Sequence, residues 1–99
     1  MTGLAQAMDL VGPKWALLIA EALLAGPKRF TEIERALSDA SPKVIAVRLR
    51  GLEAAGLVSR TIYAEVPPRV EYELTERGRE LRPAIVALRR FGNGAGGKA

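Results

Sequence analysis

In the first part of the chain, apolar residues recur at the three- and four-residue spacing of amphipathic helices. A short segment from Leu4 to Val11 ends at residues 12–13, and a second segment ends at residues 26–27. Both stops are Gly-Pro pairs, which terminate helices. The pattern therefore predicts two consecutive helices. The apolar stripe of the second helix consists of Trp15, Leu18, Ile19, Ala22 and Leu23.

Two further helices, separated by a short turn, are predicted in the middle of the chain. Residues 31–34 read Thr-Glu-Ile-Glu, a capping-box pattern in which the threonine hydroxyl accepts a hydrogen bond from the amide three residues later. After a turn at residues 38–40, Ser41 is a favourable N-cap and Pro42 a favourable first helical residue. This fourth helix is expected to end at Gly56. The inward stripes of the two helices are Ile33, Ala36 and Leu37, and Ile45, Leu49 and Leu52.

The apolar period then changes from that of a helix to that of a strand. Residues 57–64 are rich in β-formers, and residues 70–74 alternate apolar side chains with glutamates, as in a half-buried strand. The prolines at residues 67–68 forbid a tight two-residue turn. The pattern predicts a β-hairpin with a stiff, longer loop.

A last helix is predicted after Thr75, which can act as its N-cap. Pro83 lies inside the apolar pattern of Leu81, Ile85 and Leu88, so we expect either a kink or a late start. Residues 92–99 contain four glycines and are expected to form a flexible tail. The predicted domain therefore covers residues 1–91.

Composition narrows the possible chemistry. The chain has 99 residues, 15 basic and 11 acidic, for a net charge of +4, and it contains no cysteine and no histidine. Disulfides, thiol chemistry and histidine-centred metal sites are thus excluded within it, and no cofactor is expected. A basic balance suits a polyanion such as nucleic acid or an anionic membrane surface. The longest apolar stretch, Ala16 to Ala25, includes Glu21 and is too short to span a bilayer. Residues 1–4 lack a basic region followed by a long apolar run, so we expect no signal peptide. The absence of cysteine is most simply that of a cytoplasmic protein.

The order helix, helix, helix, helix, hairpin, helix predicts a mainly α fold with a small β-hairpin, the winged helix-turn-helix. In that fold the second helix of the motif enters the DNA major groove. Here this recognition helix, which starts at Ser41, exposes a face opposite its apolar stripe: Lys43, Ala46, Val47 and Arg50, with Arg48 at its edge.

Basic residues of this face and its flanks are the candidate DNA contacts. Lysine and arginine can read guanine or bind phosphate, and Val47 can offer an apolar contact. Between residues 41 and 69, five basic residues stand against two acidic ones. A basic helix face can also be a merely solvated one, and a polar loop is the alternative for residues 28–29. The predicted DNA-binding residues are Lys28, Arg29, Ser41, Lys43, Val47, Arg48, Arg50, Arg60 and Arg69.

Several stretches resemble the HxlR-type family of winged-helix bacterial and archaeal regulators. They are residues 9–15 (DLVGPKW), 26–33 (GPKRFTEI), 41–45 (SPKVI), 48–58 (RLRGLEAAGLV) and 63–78 (YAEVPPRVEYELTERG), in the family's order and spacing. The resemblance implies a homodimer formed by the first and last helices, with two recognition helices in successive major grooves of a pseudo-palindromic site and wings in the flanking minor grooves. The implied interface residues are Leu4, Met8, Val11, Leu81, Ile85, Leu88 and Phe91.

Two departures from the family change the expected mechanism. Many members carry a reactive cysteine before the first helix, where this chain has Thr2, so thiol sensing is excluded here. The family often has polar residues where this chain has Ala46 and Val47, which shifts the expected reading of DNA towards Lys43, Arg50, the wing and DNA shape.

The leading hypothesis is a dimeric regulator of double-stranded DNA, most simply a repressor that occludes a promoter, with or without a small-molecule effector. One alternative is a winged-helix module that binds protein, which would not need a basic recognition face. Another is an enzyme, but the chain contains no phosphate-binding glycine loop and no metal-ligand spacing. We therefore expect a protein without catalytic activity.

Overall fold

The computed structural model describes the backbone of residues 2–97 and the side chains as far as residue 94. Its architecture is mainly helical with one two-stranded antiparallel hairpin, which confirms the predicted fold class. The elements are α1 (Gly3–Val11), α2 (Ala16–Leu23), α3 (Phe30–Ala36), α4 (Pro42–Ala54), β1 (Val58–Tyr63), β2 (Arg69–Leu74), α5 (Glu76–Arg79) and α6 (Arg82–Gly97).

Helix α4 begins and ends where its sequence signals predict. The Ser41 hydroxyl accepts a hydrogen bond from the Val44 amide at 3.2 Å, and Pro42 occupies the first turn, where no amide is needed. Beyond the helix, Gly56 has φ +77°, a left-handed conformation that glycine adopts without a steric penalty. The glycine allows the chain to turn directly from α4 into β1.

Helix α3 begins at Phe30, and its N-cap lies two residues before the threonine of the predicted capping box. The Glu32 carboxylate accepts a hydrogen bond from the Arg29 amide at 2.8 Å, so Arg29 is the N-cap and Thr31 already lies in the first turn. A charged acceptor bonds an amide more strongly than a hydroxyl does, and here it satisfies the amide of the N-cap residue. The capping pattern at residues 31–34 therefore does not mark the helix start.

The last predicted helix is divided into α5 and α6. Thr75 caps α5 as expected, because its Oγ1 accepts from the Gly78 amide at 3.0 Å, and α6 restarts at Arg82 with Pro83 in its first turn. The chain then remains helical to Gly97, where the sequence indicated a flexible tail from residue 92. Glycine costs about 1 kcal/mol per residue in a helix relative to alanine, but no proline follows to stop it. Residues 98–99 lie outside the described residues.

A single apolar core lies between the helices and the base of the hairpin. The stripes of α2, α3 and α4 meet there, although Leu18 of the α2 stripe and Ala36 of the α3 stripe are exposed. Trp15 is packed against the core rather than sealed within it. The buried apolar side chains are Val11, Ala16, Ile19, Ala20, Leu23, Ile33, Leu37, Ile45, Leu49, Leu52, Leu57, Val58, Leu74 and Ile85.

Gly78 lets α5 pack directly on the chain that enters β1. A Cβ at this position would lie 2.1 Å from the Leu57 carbonyl oxygen and 3.0 Å from Leu74 Cδ2. The Leu57 carbonyl also accepts from the Thr75 amide at 3.0 Å, so it is held in place. No side chain larger than hydrogen fits between these backbones.

The hairpin is tied to the segment before α3. Strands β1 and β2 pair from Val58↔Leu74 to Tyr63↔Arg69. Lys28 adds a bridge to the outer edge of β2: its amide donates to the Tyr72 carbonyl at 2.9 Å, and the Tyr72 amide donates back at 2.8 Å. This bridge was not predicted, and it fixes the hairpin relative to the helix-turn-helix. None of the helices within residues 2–97 is long and apolar enough to cross a membrane.

Candidate nucleic-acid interface

Helix α4 presents a basic, partly apolar face to solvent. Lys43, Val47 and Arg50 are exposed and Ala46 is half-buried, whereas the opposite stripe is buried. Residues at i, i+3, i+4 and i+7 lie on one side of a helix, so the sequence-predicted recognition face is assembled as expected. Among the residues that the structure describes, no carboxylate lies within 4 Å of the Lys43 or Arg50 charge. Both cations are therefore available to an external anion.

Ser41 and Arg48 support this face rather than extending it. The Ser41 hydroxyl is used as the helix cap. The Arg48 side chain is half-buried, and its Nε donates to the Lys14 carbonyl at 2.9 Å. This bond links α4 to the turn between α1 and α2. Arg48 is thus at the edge of the recognition face, with one donor already used within the chain.

Lys28 and Arg29 lie at the start of the helix-turn-helix. Lys28 is half-buried and its backbone forms the bridge to β2, whereas the Arg29 side chain is exposed at the N-terminus of α3. The exposed guanidinium group of Arg29 can attract a phosphate, whereas the helix N-terminus beside it already holds the Glu32 carboxylate. The structure places these two residues between the hairpin and α3.

The two arginines of the hairpin both have carboxylate partners within the chain. Arg60 Nε is 3.5 Å from Glu53 Oε1 of α4. Arg69 lies between Glu65 and Glu71, at 3.1 Å and 3.5 Å. With Glu73 included, residues 58–74 carry two arginines and three glutamates. The wing is therefore not a basic element, although the sequence count over residues 41–69 indicated a basic excess.

The residues expected to form a dimer interface fall into two groups. Val11 and Ile85 are buried in the core of the single chain, and Leu81 is half-buried. The other four are exposed, two on α1 and two on α6. Their exposed fractions are Leu4 74%, Met8 44%, Leu88 53% and Phe91 74%.

Leu18 is an exposed apolar residue that the sequence reading assigned to the core. It is 47% exposed and lines, with Leu88, a groove between α2 and α6. At the border of this groove Glu21 Oε2 accepts from Arg89 Nε and lies 2.9 Å from Arg89 Nη2. The α2 stripe is wider than one core-facing side of a helix, which is the sequence signal that could have identified Leu18.

Comparison with known proteins decides the family. A family model described as HxlR-like helix-turn-helix matches residues 10–98. The chain belongs to the HxlR-like helix-turn-helix family. Its relatives are named as HTH-type transcriptional regulators, so this HxlR-like chain is a DNA-binding transcriptional regulator.

One relative and two solved structures illustrate the similarity. The uncharacterized HTH-type transcriptional regulator sll1512 of Synechocystis is 42% identical over 86 residues, covering 87% of this chain and 64% of its own length. A crystal structure of the HTH-type transcriptional regulator ytcD superposes with a TM-score of 0.88 at 36% identity, covering 94% of this chain and 95% of that one. The redox regulator HypR in its oxidized form gives 0.87 at 34% identity, covering 99% of each chain. This HxlR-like chain spans about two thirds of the length of sll1512.

Proposed function

We propose that this HxlR-like chain is a homodimeric repressor that binds a pseudo-palindromic promoter site and blocks transcription by occupying it. The observation that carries the proposal is the α4 face, where Lys43 and Arg50 are exposed, unpaired by any described carboxylate and aligned on one side. A regulator of this kind works where the chromosome lies, so we place it in the cytoplasm of a prokaryote. No catalytic step is part of the proposal.

In the proposed complex each α4 enters a major groove. Arg50 and Lys43 reach guanine edges or phosphates, and Val47 supplies apolar contact to a thymine methyl. Arg29 and Lys28 lie close to the phosphate backbone at the start of α3. Arg60 can approach the backbone from the wing, since its 3.5 Å pairing with Glu53 is half-exposed and such pairs are weak.

The exposed apolar residues of α1 and α6 support the homodimer. Leu4, Met8, Leu88 and Phe91 form more exposed apolar surface than a monomer needs. A two-fold dimer would set its two α4 helices about 34 Å apart, one turn of DNA. A small molecule bound between the protomers could then adjust this spacing, and its identity is open.

Binding to DNA tests the proposal directly. We expect the wild-type protein to bind a duplex from upstream of its own gene more tightly than a scrambled duplex, by fluorescence anisotropy across a salt series. In the double variant Lys43→Ala/Arg50→Ala each protomer loses two cations, so the log–log salt slope should become shallower by up to about 0.9 per lost phosphate contact. Arg90→Ala removes one exposed cation on α6, outside the recognition helix, and serves as the control for loss of charge.

The possible outcomes separate the alternatives. Equal, salt-dependent binding of both duplexes would leave a DNA-binding protein whose operator lies elsewhere. No binding of either duplex at low salt would reject the DNA-binding proposal and favour a winged-helix module for protein partners. An equal loss of slope per removed cation in Arg90→Ala would show that net charge, and not the α4 face, attracts the DNA.

A further inference from the structure

The end of the hairpin contains a cluster of charged and aromatic side chains on one face. Tyr63 and Arg69 are directly opposite each other in the β1–β2 register, and Glu71 follows Arg69 by two residues on the same strand. Residues two apart on a strand share a face. The register therefore brings Tyr63, Arg69 and Glu71 together at the base of the loop of residues 64–68.

The guanidinium group of Arg69 lies at the centre of this cluster. Its Cζ lies 3.9 Å from the centre of the Tyr63 ring, a close cation–π contact. Its Nη2 is 3.1 Å from Glu65 Oε2, in the loop, and its Nη1 is 3.5 Å from Glu71 Oε2, on β2. One planar group thus joins the loop, the end of β1 and the end of β2.

The cluster leaves Arg69 little capacity for an external anion. Its side chain is one-third exposed, its Nε is buried, and two carboxylates flank the outer nitrogens. To bind a phosphate it would have to give up the Tyr63 face or one carboxylate, which would leave that carboxylate facing DNA. Lys43 and Arg50 on α4 face no such competition among the described residues.

We propose that Arg69 is a positioning residue that holds the wing loop in shape, and that it does not bind DNA phosphate. That Arg69 does not bind DNA phosphate rests on the proposed function, whereas its role in holding the loop is a property of the free protein. The loop keeps Val66 fully exposed at the wing tip. The wing therefore offers DNA an apolar side chain on a loop of fixed shape, whereas the sequence predicted a charged contact from Arg69.

Two substitutions of Arg69 distinguish a clamp, meaning a side chain that holds the wing loop in shape, from a side chain that binds phosphate. Lysine keeps the charge but lacks the planar fork that joins two carboxylates and stacks on a ring, and glutamine removes both. We expect Arg69→Gln and Arg69→Lys alike to raise amide hydrogen exchange in residues 63–70 several-fold, with unchanged exchange in α2 and α4. The salt slope of DNA binding should equal that of the wild type in both variants.

The controls make the result decisive. Arg50→Gln should lower the salt slope by about 0.9 per protomer without altering exchange in residues 63–70. Glu65→Gln should raise exchange in residues 63–70, because it removes one partner of the clamp.

The proposal is overturned if Arg69→Gln lowers the salt slope by a similar amount and Arg69→Lys restores it, since only a charge contact behaves in that way. It is also overturned if exchange in residues 63–70 is the same in the wild type and both Arg69 variants. If the wild type binds no duplex, the proposed function fails, and the exchange measurement on the free protein still decides whether Arg69 is a clamp.

Discussion

Gly51 and Gly78 lie in helices but occupy opposite surroundings. A Cβ at Gly51, on α4, would meet nothing within 4 Å, whereas one at Gly78, on α5, would lie 2.1 Å from the Leu57 carbonyl oxygen. Glycine lowers stability in an open helix position, because it loses more conformational entropy than alanine. At Gly78 the missing Cβ is instead what allows two backbones to touch.

We therefore expect alanine to have opposite effects at these two glycines. Gly78→Ala should lower the free energy of unfolding by about 2–3 kcal/mol, because a backbone carbonyl has to move to admit the new Cβ. Gly51→Ala should raise it by about 0.5–1 kcal/mol. Urea denaturation followed by circular dichroism measures both, and equal effects at the two positions would contradict the contact between α5 and Leu57.

Short elements in this fold depend on their caps. Helix α5 has four residues, too few to be stable alone, and Thr75 connects it to the end of α4. Thr75 Oγ1 accepts from the Gly78 amide at 3.0 Å and donates to the Gly56 carbonyl at 2.7 Å. One hydroxyl thus caps the start of α5 and binds the carbonyl of the glycine that follows α4.

Replacing Thr75 by valine should cost about 1–2 kcal/mol of unfolding free energy, since both hydrogen bonds are lost while the shape is kept. Thr75→Ser retains the hydroxyl and should recover most of this loss. Thr61→Val, on an exposed strand position, should change stability by less than about 0.5 kcal/mol. Thermal denaturation of the three variants tests the cap, and equal losses in Thr75→Val and Thr61→Val would refute it.

The sequence predicted the elements whose signals are local. The apolar stripe and N-cap of α4, the strand alternation and the late start at Pro83 all lie within a few residues of the structure they specify. The Lys28–Tyr72 bridge joins residues far apart in the chain, and a single bridging residue has no period to detect. The N-cap of α3 is Arg29 and not Thr31, because two capping signals overlap and the more strongly bonding carboxylate of Glu32 is the one used.

The residues of the candidate site also divide into those whose placement helical spacing predicts and those whose contacts it does not predict. Helical spacing was enough to bring Lys43, Val47 and Arg50 onto one face. The partner of Arg48 is the Lys14 carbonyl, 34 residues away in the chain, which spacing along the chain does not encode. The carboxylates that pair with Arg69 are only four and two residues away, but counting charges over residues 41–69 did not show that they are paired with it.

For the whole molecule, the unburied apolar surface is the main feature that a single chain leaves unexplained. Phe91 and Leu88 of α6 are exposed, as are Leu4 and Met8 of α1. A monomer would leave these side chains in water, at a cost of about 25 cal/mol per Å² of apolar surface. A second copy that covers both helices would remove that cost.

The proposed dimer predicts that the double variant Leu88→Glu/Phe91→Glu is a folded monomer, because buried carboxylates oppose association. Its mass by light scattering should be near 10.6 kDa, the mass of one chain, and its helical circular dichroism should be retained. Ile62→Glu, at an equally exposed apolar position of β1, should leave the mass of the dimer unchanged. A double variant with twice the chain mass would place the interface elsewhere.

The contact of Gly78 with Leu57 also offers a genetic tool. In a domain of this size each kcal/mol lost lowers the midpoint temperature by about 4–8 °C, so Gly78→Ala should make a conditional allele, folded in the cold and unfolded when warmed. Cells that carry it would lose the regulator within minutes of a temperature shift. Transcripts that rise at once in those cells, and not in wild-type cells after the same shift, would reveal the genes that the proposed repressor controls.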